Sequence, residues 1–315
     1  YKELFLAAMA PMASKSHSSP SAHGSMNDPD GVVLLWSLHR PATPEFVLKT
    51  QSTVTCAIFD PFSTNLVLGG SYSGQMVLWD MRAGHHPIQR SALSSDGHTH
   101  PVYCASIVGS TNNHEIVSMS TDGLLCTWNK NQLDKPLEQV MLKRENRSVA
   151  PTSTHILDED NNTFVCGGED GGVYLSQVHR NKGGEALVRA EGHFGPITDL
   201  SMGSSGILTS SMDWTIKSWK YTPNAKMPLV AQHTFSGFSD CVYSAQWCPA
   251  HPNMFCAAGG EGALELWDMD ANMETPVFKK QLGEGALNKV RWSMDSSRIA
   301  AGGVSGRVSM FKLSV

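Results

Sequence analysis

Apolar and polar residues alternate with a period of two in short stretches along nearly the whole chain. Val54–Phe59, Val102–Ile107, Ile197–Met202 and Val242–Trp247 are clear cases. That alternation marks strands buried on one face. Each stretch is followed within a few residues by further ones of the same kind. Val54–Phe59 leads to Leu66–Ser71, Gln75–Trp79 and Pro87–Leu93, and Val102–Ile107 leads to Glu115–Met119 and Leu124–Trp128. Ile197–Met202 leads to Ile207–Ser211 and Thr215–Trp219, and Val242–Trp247 leads to Met254–Ala258 and Ala263–Trp267. Gly-Gly and Asp-Gly pairs between the stretches supply the positive φ that two-residue hairpin turns require.

The stretches recur as a unit. A small or acidic residue, usually followed by Gly, precedes alternating apolar positions that end on an aromatic or its substitute. These end positions are Trp36, Trp79, Trp128, Ser176, Trp219, Trp267 and Phe311, spaced 43, 49, 48, 43, 48 and 44 residues apart. A period of about 45 residues is that of four-stranded WD-type propeller blades. The chain therefore reads as all-β, a seven-bladed WD40-type β-propeller in which one ring spans residues 1–315. Small-residue runs such as Ala257-Ala258-Gly259-Gly260 are expected where neighbouring blades crowd together. Before Trp36 a single strand, Glu3–Ala8, is readable, and four residues follow Phe311. The first blade thus lacks an inner strand and the last an outer one, and the absence of an initiator Met suggests a segment cut from a longer chain. Residues 11–30, rich in Ser, Pro and His, read as a flexible insertion.

Composition narrows the function classes. The net charge of −5 argues against a chain that coats nucleic acid, and no apolar run is long enough to span a bilayer. Leu4–Ala13 imitates a signal-peptide core but fits the repeat equally well. Seven scattered cysteines, an odd number with no C-x-x-C pair, fit buried thiols of a reducing compartment. Two tripeptides, Asn146-Arg147-Ser148 and Asn161-Asn162-Thr163, match glycosylation acceptors of the kind that arise by chance.

Two blades carry a possible chemical constellation: His193, Ser211, Asp213 and Trp219 in the fifth, and His98, Ser120, Asp122 and Trp128 in the third. Ser, His and Asp together suggest a hydrolase. Their recurrence at one structural position, with no G-x-S-x-G elbow, points instead to tetrads that satisfy buried polar groups. The thirteen histidines include His85-His86, His98-x-His100 and His114, none with the partners of a metal site, and no H-E-x-x-H occurs. Gly167-Gly168 and Gly302-Gly303 end strands and open no helix, so no phosphate cradle is expected. Lys143-Arg144…Arg147 and Lys279-Lys280 read as solvated loops. No catalytic, cofactor-binding or metal residue is assigned. What remains is surface: the turns of one rim carry Tyr72, His100, Phe194, Trp214, Phe238 and Asp240. Large aromatics in such turns suit a protein-binding face.

Several segments go beyond a generic repeat. Ser71-Tyr-Ser-Gly-Gln-Met-Val-Leu-Trp-Asp80, His98-Thr-His-Pro-Val-Tyr-Cys104, Ser120-Thr-Asp-Gly123 and Glu191-Gly-His-Phe-Gly-Pro-Ile-Thr198 resemble segments of the cytoplasmic dynein intermediate chain. So do Met212-Asp-Trp-Thr-Ile-Lys-Ser-Trp219, Trp247-Cys-Pro-Ala-His-Pro252 and Ala286-Leu-Asn-Lys-Val-Arg-Trp292. The resemblance runs in order from Tyr1 to the C-terminus, and the insertion before Asp30 departs from it. It implies a non-catalytic, cytoplasmic, microtubule-associated subunit whose propeller docks on the tail of the dynein heavy chain. Light chains and dynactin would bind an upstream region, with two copies in the complex, no nucleic acid and no membrane insertion. The alternative is a substrate receptor of a ubiquitin ligase, on the strength of Trp79-Asp80-Met81-Arg82.

Overall fold

The computed structural model describes residues 4–9, 31–94, 96–144, 147–157, 162–179, 188–223, 225, 227–283 and 285–313. The expected insertion at 11–30 and the residues Asn146 and Asn161 lie outside these. Every regular element among the described residues is a strand, and the strands form seven antiparallel sheets and one short ribbon. The seven sheets are the blades of a WD40-type β-propeller. They fall into two compact units that meet in sequence at Met141 and Leu142.

The first unit holds three blades. Blade 1 is Leu4–Met9, Gly31–Ser37 and Phe46–Thr50; blade 2 is Val54–Phe59, Leu66–Ser71, Met76–Asp80 and Gln89–Arg90; blade 3 is Val102–Gly109, His114–Ser120, Leu124–Trp128 and Glu138–Met141. Leu4–Met9, the described part of the apolar stretch that imitates a signal core, is thus the first strand of a sheet, with Phe5 stacked on Trp36 at 6.4 Å between ring centres. Its core lies in layers between blades. Val33, Leu35 and Leu48 of blade 1 meet Val54, Val67 and Trp79 of blade 2. Leu68, Met76 and Leu78 of blade 2 meet Val102, Ile116 and Trp128 of blade 3. Alternation puts every second residue in such a layer, which is why the period of two survives in the sequence. At the loop ends an ion pair of 2.6 Å joins buried Asp60 of blade 2 to Lys130 of blade 3.

The second unit begins with a ribbon, Lys143–Arg144 paired with Arg147–Ser148, where the sequence suggests a plain loop. Four blades follow. Blade 4 is Pro151–Ile156, Thr163–Gly168, Gly172–Gln177 and Val188–Glu191; blade 5 is Ile197–Gly203, Gly206–Ser211, Ile216–Tyr221 and Leu229–Phe235. Blade 6 is Val242–Trp247, Met254–Gly259, Ala263–Asp268 and Phe278–Gln281; blade 7 is Leu287–Trp292, Arg298–Gly303 and Val308–Lys312. The small residues sit where blades crowd: a Cβ on Gly167 of blade 4 would stand 2.5 Å from Ile197 Cγ2 of blade 5. Lys279 and Lys280, expected in a solvated loop, lie on the outer strand of blade 6. Lys280 covers the Phe311 ring at 5.2 Å.

One feature of both units is not visible as a motif. The first strand of blades 2 to 7 carries a register shift after its first residue, at Val54, Val102, Pro151, Ile197, Val242 and Leu287. A bulge re-aims the side chain of its extra residue. Thr198 uses it to donate from Oγ1 to the Val242 carbonyl of the next blade at 2.6 Å, and Thr55 reaches the Val102 carbonyl in the same way.

Candidate functional site

The buried polar chains come first, because they decide whether His, Ser and Asp are chemistry or scaffold. In blade 5 the Trp219 Nε1–H donates to Thr209 Oγ1 at 2.9 Å, and Thr209 Oγ1 lies 2.8 Å from His193 Nε2. His193 Nδ1 faces Asp213 at 3.1 Å. The indole can only donate, so the chain runs one way: Trp219 to Thr209 to His193 to Asp213, with the proton on His193 Nδ1. Ser211, expected as the hydroxyl of this tetrad, is not part of it. It donates to the Gly195 carbonyl at 3.0 Å, at the strand end. Thr209 lies one pleat repeat deeper on the same face, within reach of the buried indole.

Blade 3 builds a longer chain. Trp128 Nε1–H donates to Ser118 Oγ at 2.7 Å, Ser118 bonds His98 Nε2 at 2.6 Å, and His98 Nδ1 bonds Ser120 Oγ at 2.9 Å. Ser120 then donates to Asp122. All four expected residues belong, but Ser118, which contacts the indole, escaped notice in the sequence. Burial lowers the His98 imidazole to about 4, outweighing the Asp122 carboxylate, so the ring is neutral. Burial likewise lowers His193, against the pull of Asp213. Burial would raise the Asp213 carboxyl, but hydrogen bonds from Thr215 and the Phe194 N–H, with His193, hold it below its ordinary range. Both imidazoles have each ring nitrogen engaged, His98 by Ser118 and Ser120 and His193 by Thr209 and Asp213.

The other blades solve the same burial problem differently. In blade 6 the Trp267 Nε1–H donates to Glu265 Oε2 at 3.0 Å; Lys279 bridges Glu265 at 3.0 Å and Glu261 at 2.8 Å. In blade 4, where Ser176 replaces the aromatic, Tyr174 donates to Asp170 and Arg189 pairs with the same carboxylate. The recess lined by Phe238, Asp240, Cys241, Glu261 and Glu265 has about 10 Å3, the room of a single water. No group of three or more His, Cys, Asp or Glu among the described residues is placed to hold a metal ion. Cys126, Cys241, Cys248 and Cys256 are free thiols.

A charged cluster lies on the first strands of blades 5, 6 and 7. Asp199 of blade 5 is buried and accepts from Ser244 Oγ of blade 6 at 2.6 Å. It also pairs with Lys289 at 2.9 Å and Arg291 at 3.2 Å, both from blade 7. Burial alone would raise its carboxyl. Lys289, then Arg291 and Ser244, instead hold it at about 2. One carboxylate therefore ties three consecutive blades. Sequence patterning could not find it, since its partners lie 45 and 92 residues away.

The rim turns follow one plan. The turn between the second and third strands has a Gly at positive φ in blades 2, 3, 4, 6 and 7: Gly74, Gly123, Gly171, Gly262 and Gly306. In blade 5 the position is Trp214, with φ 65°. Its indole is half exposed, Met212 beside it is exposed, and Phe194 on the adjoining loop is wholly exposed. Asp213 ties the two loops together, taking the Phe194 N–H at 3.0 Å. Phe238 differs from its expected role: it is half-buried and packs on Trp267 at 5.5 Å between ring centres. Asp240 is exposed and accepts the Cys241 N–H at 2.7 Å. In the first unit Tyr72 and His100 are exposed on adjoining turns, His100 standing 3.4 Å from Asp122. Met212, like Val304 at the equivalent position of blade 7, is an exposed apolar rim residue that the sequence reading missed.

Similarity to known proteins follows the same lines. Residues 23–119 match the model described as the dynein axonemal intermediate chain 3 WD40 domain, and residues 184–220 match the WD domain, G-beta repeat. The cytoplasmic dynein 1 intermediate chain of Drosophila melanogaster is 38% identical over 299 residues, 91% of this chain. The chain is a relative of the dynein intermediate chains. It spans less than half of that relative, 44% of its length. In this chain the buried hydrogen-bonded tetrads and the Asp199 cluster are internal supports of the propeller.

Proposed function

We propose that this chain is the propeller region of a non-catalytic dynein subunit, cytoplasmic and associated with microtubules. It docks on the heavy-chain tail as a preformed platform. Light chains and dynactin bind other parts of the intermediate chain, and two copies act together through effective concentration. The observation that carries the reading is the similarity to the Drosophila melanogaster cytoplasmic dynein 1 intermediate chain over 91% of the chain. Two features support a docking role: every Ser/His/Asp set is taken up in internal hydrogen bonds, and exposed aromatics cluster at the rim on rigid turns. Rigid turns bind with little ordering cost.

Nothing favours the ligase-receptor reading. Trp79 of Trp79-Asp80-Met81-Arg82 is wholly buried by the fold, and Arg82 is held by its own neighbour Asp80 at 2.8 Å. The test is co-purification with the heavy-chain tail. Alanine at both Phe194 and Trp214 is expected to lower recovery of the tail at least tenfold while the fold survives. Undiminished recovery would remove the rim from the docking surface.

A further inference from the structure

We propose that the rim formed by Phe194, Met212 and Trp214 receives a basic segment of a partner protein, anchored by apolar side chains. The inference names the chemistry of the partner for the rim described above, and so rests on that rim being a docking face.

The first observation is conformational. A bulky residue at φ 65° is disfavoured in an L-amino-acid chain, and five other blades use Gly at the same turn. Such strain persists where surrounding structure over-determines it, and it clusters at functional sites. Here the surroundings do so: Asp213 accepts from Thr215 Oγ1 at 2.6 Å, from the Thr215 N–H and from the Phe194 N–H, and faces buried His193. The fold gains little from the ring that this turn holds up, since about half of Trp214 (51%) is exposed. Phe194 at 101% makes no use of the fold at all.

The second observation is continuity. Cys241 Sγ donates to the Met212 carbonyl at 3.4 Å, and Gly195 lies against Asp213. A Cβ on Gly171 of blade 4 would stand 2.2 Å from the His193 carbonyl. The turns of blades 4, 5 and 6 and the loops between them therefore form one surface. Phe194, Met212 and Trp214 together offer roughly 300–400 Å2 of apolar area, in the range of functional patches on single proteins.

The third is charge. Glu169 and Asp170 stand in the turn of blade 4 and Glu191 ends its outer strand, while Asp240 lies in the loop before blade 6 and Glu261 in its turn. The cations among them are engaged: Arg189 with Asp170 and Glu191, Lys279 with Glu261 and Glu265, Lys217 with the Gly192 carbonyl. An apolar centre within a carboxylate margin is complementary to apolar anchors flanked by Lys or Arg. It also repels acidic segments, which gives the site a sign as well as a shape.

The experiment measures fluorescence polarisation of three labelled 16-residue peptides against the purified chain. One has Leu at helical spacing with Lys elsewhere, one has the same Leu pattern with Glu, and one has Lys and Ser without Leu. The Lys/Leu peptide is expected to bind at least tenfold tighter than either of the others. Phe194→Ser, which removes a side chain the fold does not use, is expected to weaken it at least tenfold with an unchanged melting temperature. Trp214→Gly, which places the turn's usual residue there, is expected to weaken binding equally without lowering the melting temperature. Equal binding of the Glu/Leu peptide, or wild-type affinity in Phe194→Ser, overturns the proposal. So does a dimer of the chain that Phe194→Ser converts to monomer, which would assign the patch to a second copy. Should Phe194→Ser lose the Lys/Leu peptide yet retain the heavy-chain tail, the chemistry inferred here stands and the heavy chain docks elsewhere.

Discussion

Replacing Asp199 by Asn tests whether one carboxylate holds three blades together. The side chain keeps its shape and can still bond Ser244, but it no longer carries the charge that Lys289 and Arg291 face at 2.9 and 3.2 Å. The carboxyl is held at about 2, against its ordinary value of 3.8. At about 1.4 kcal/mol per pKa unit this corresponds to between about 2 and 3 kcal/mol at neutral pH. The two cations are half exposed, so water recovers part of their solvation, and about 2 kcal/mol is the expected loss. The sign follows from the depressed value. The unfolded chain takes up the proton first, so the contribution is complete above pH 3.8 and is lost as pH falls through about 2. Urea unfolding of both proteins at pH 7 and pH 3 reads the difference from the midpoints at unchanged slope. The gap should shrink to about half by pH 3. A gap below about 0.5 kcal/mol at pH 7, or one independent of pH, would show that the cluster contributes geometry without electrostatic stabilisation.

Thr209→Val is expected to cost about 3 kcal/mol, because it strands the buried Trp219 N–H and His193 Nε2, whereas Ser211→Ala should cost about 1 kcal/mol or less. Urea midpoints compare them, and equal costs would return Ser211 to the tetrad. Because burial lowers His98 to about 4, stability should be full above pH 6.5 and decline as pH falls toward 4, by up to about 3 kcal/mol. An NMR titration of His98 with a midpoint near 6.5 would contradict this.

How legible the fold was depended on the distance over which each feature is encoded. Val54–Phe59, Leu66–Ser71, Leu124–Trp128 and Val242–Trp247 were readable to the residue, because alternation records which side of a strand meets the neighbouring blade. The outer strand of blade 2 was read as Pro87–Leu93 but is only Gln89–Arg90, since an exposed edge carries little pattern. In the candidate site, His98, Ser120, Asp122 and Trp128 were placed by repeat position alone. Thr209 and Ser118 were overlooked although both lie two residues before an expected hydroxyl, on the same face. That signal was present in the alternation and went unused.

Sequence by itself therefore determined the number of blades, their order, the identity of the buried Trp and His residues, and the likeness to dynein intermediate chains. The blades and their buried residues follow from periods of two and about 45 residues that backbone geometry imposes locally, and the likeness follows from particular segments such as Met212–Trp219 that exceed the repeat. Tertiary structure alone decided which hydroxyl completes a tetrad, that Phe238 packs inward on Trp267, and that Asp199 meets Arg291 across two blades. It also decided that Trp214 stands in a glycine's conformation. Those outcomes depend on contacts and backbone constraints that blade packing brings together, and no spacing along the chain records them.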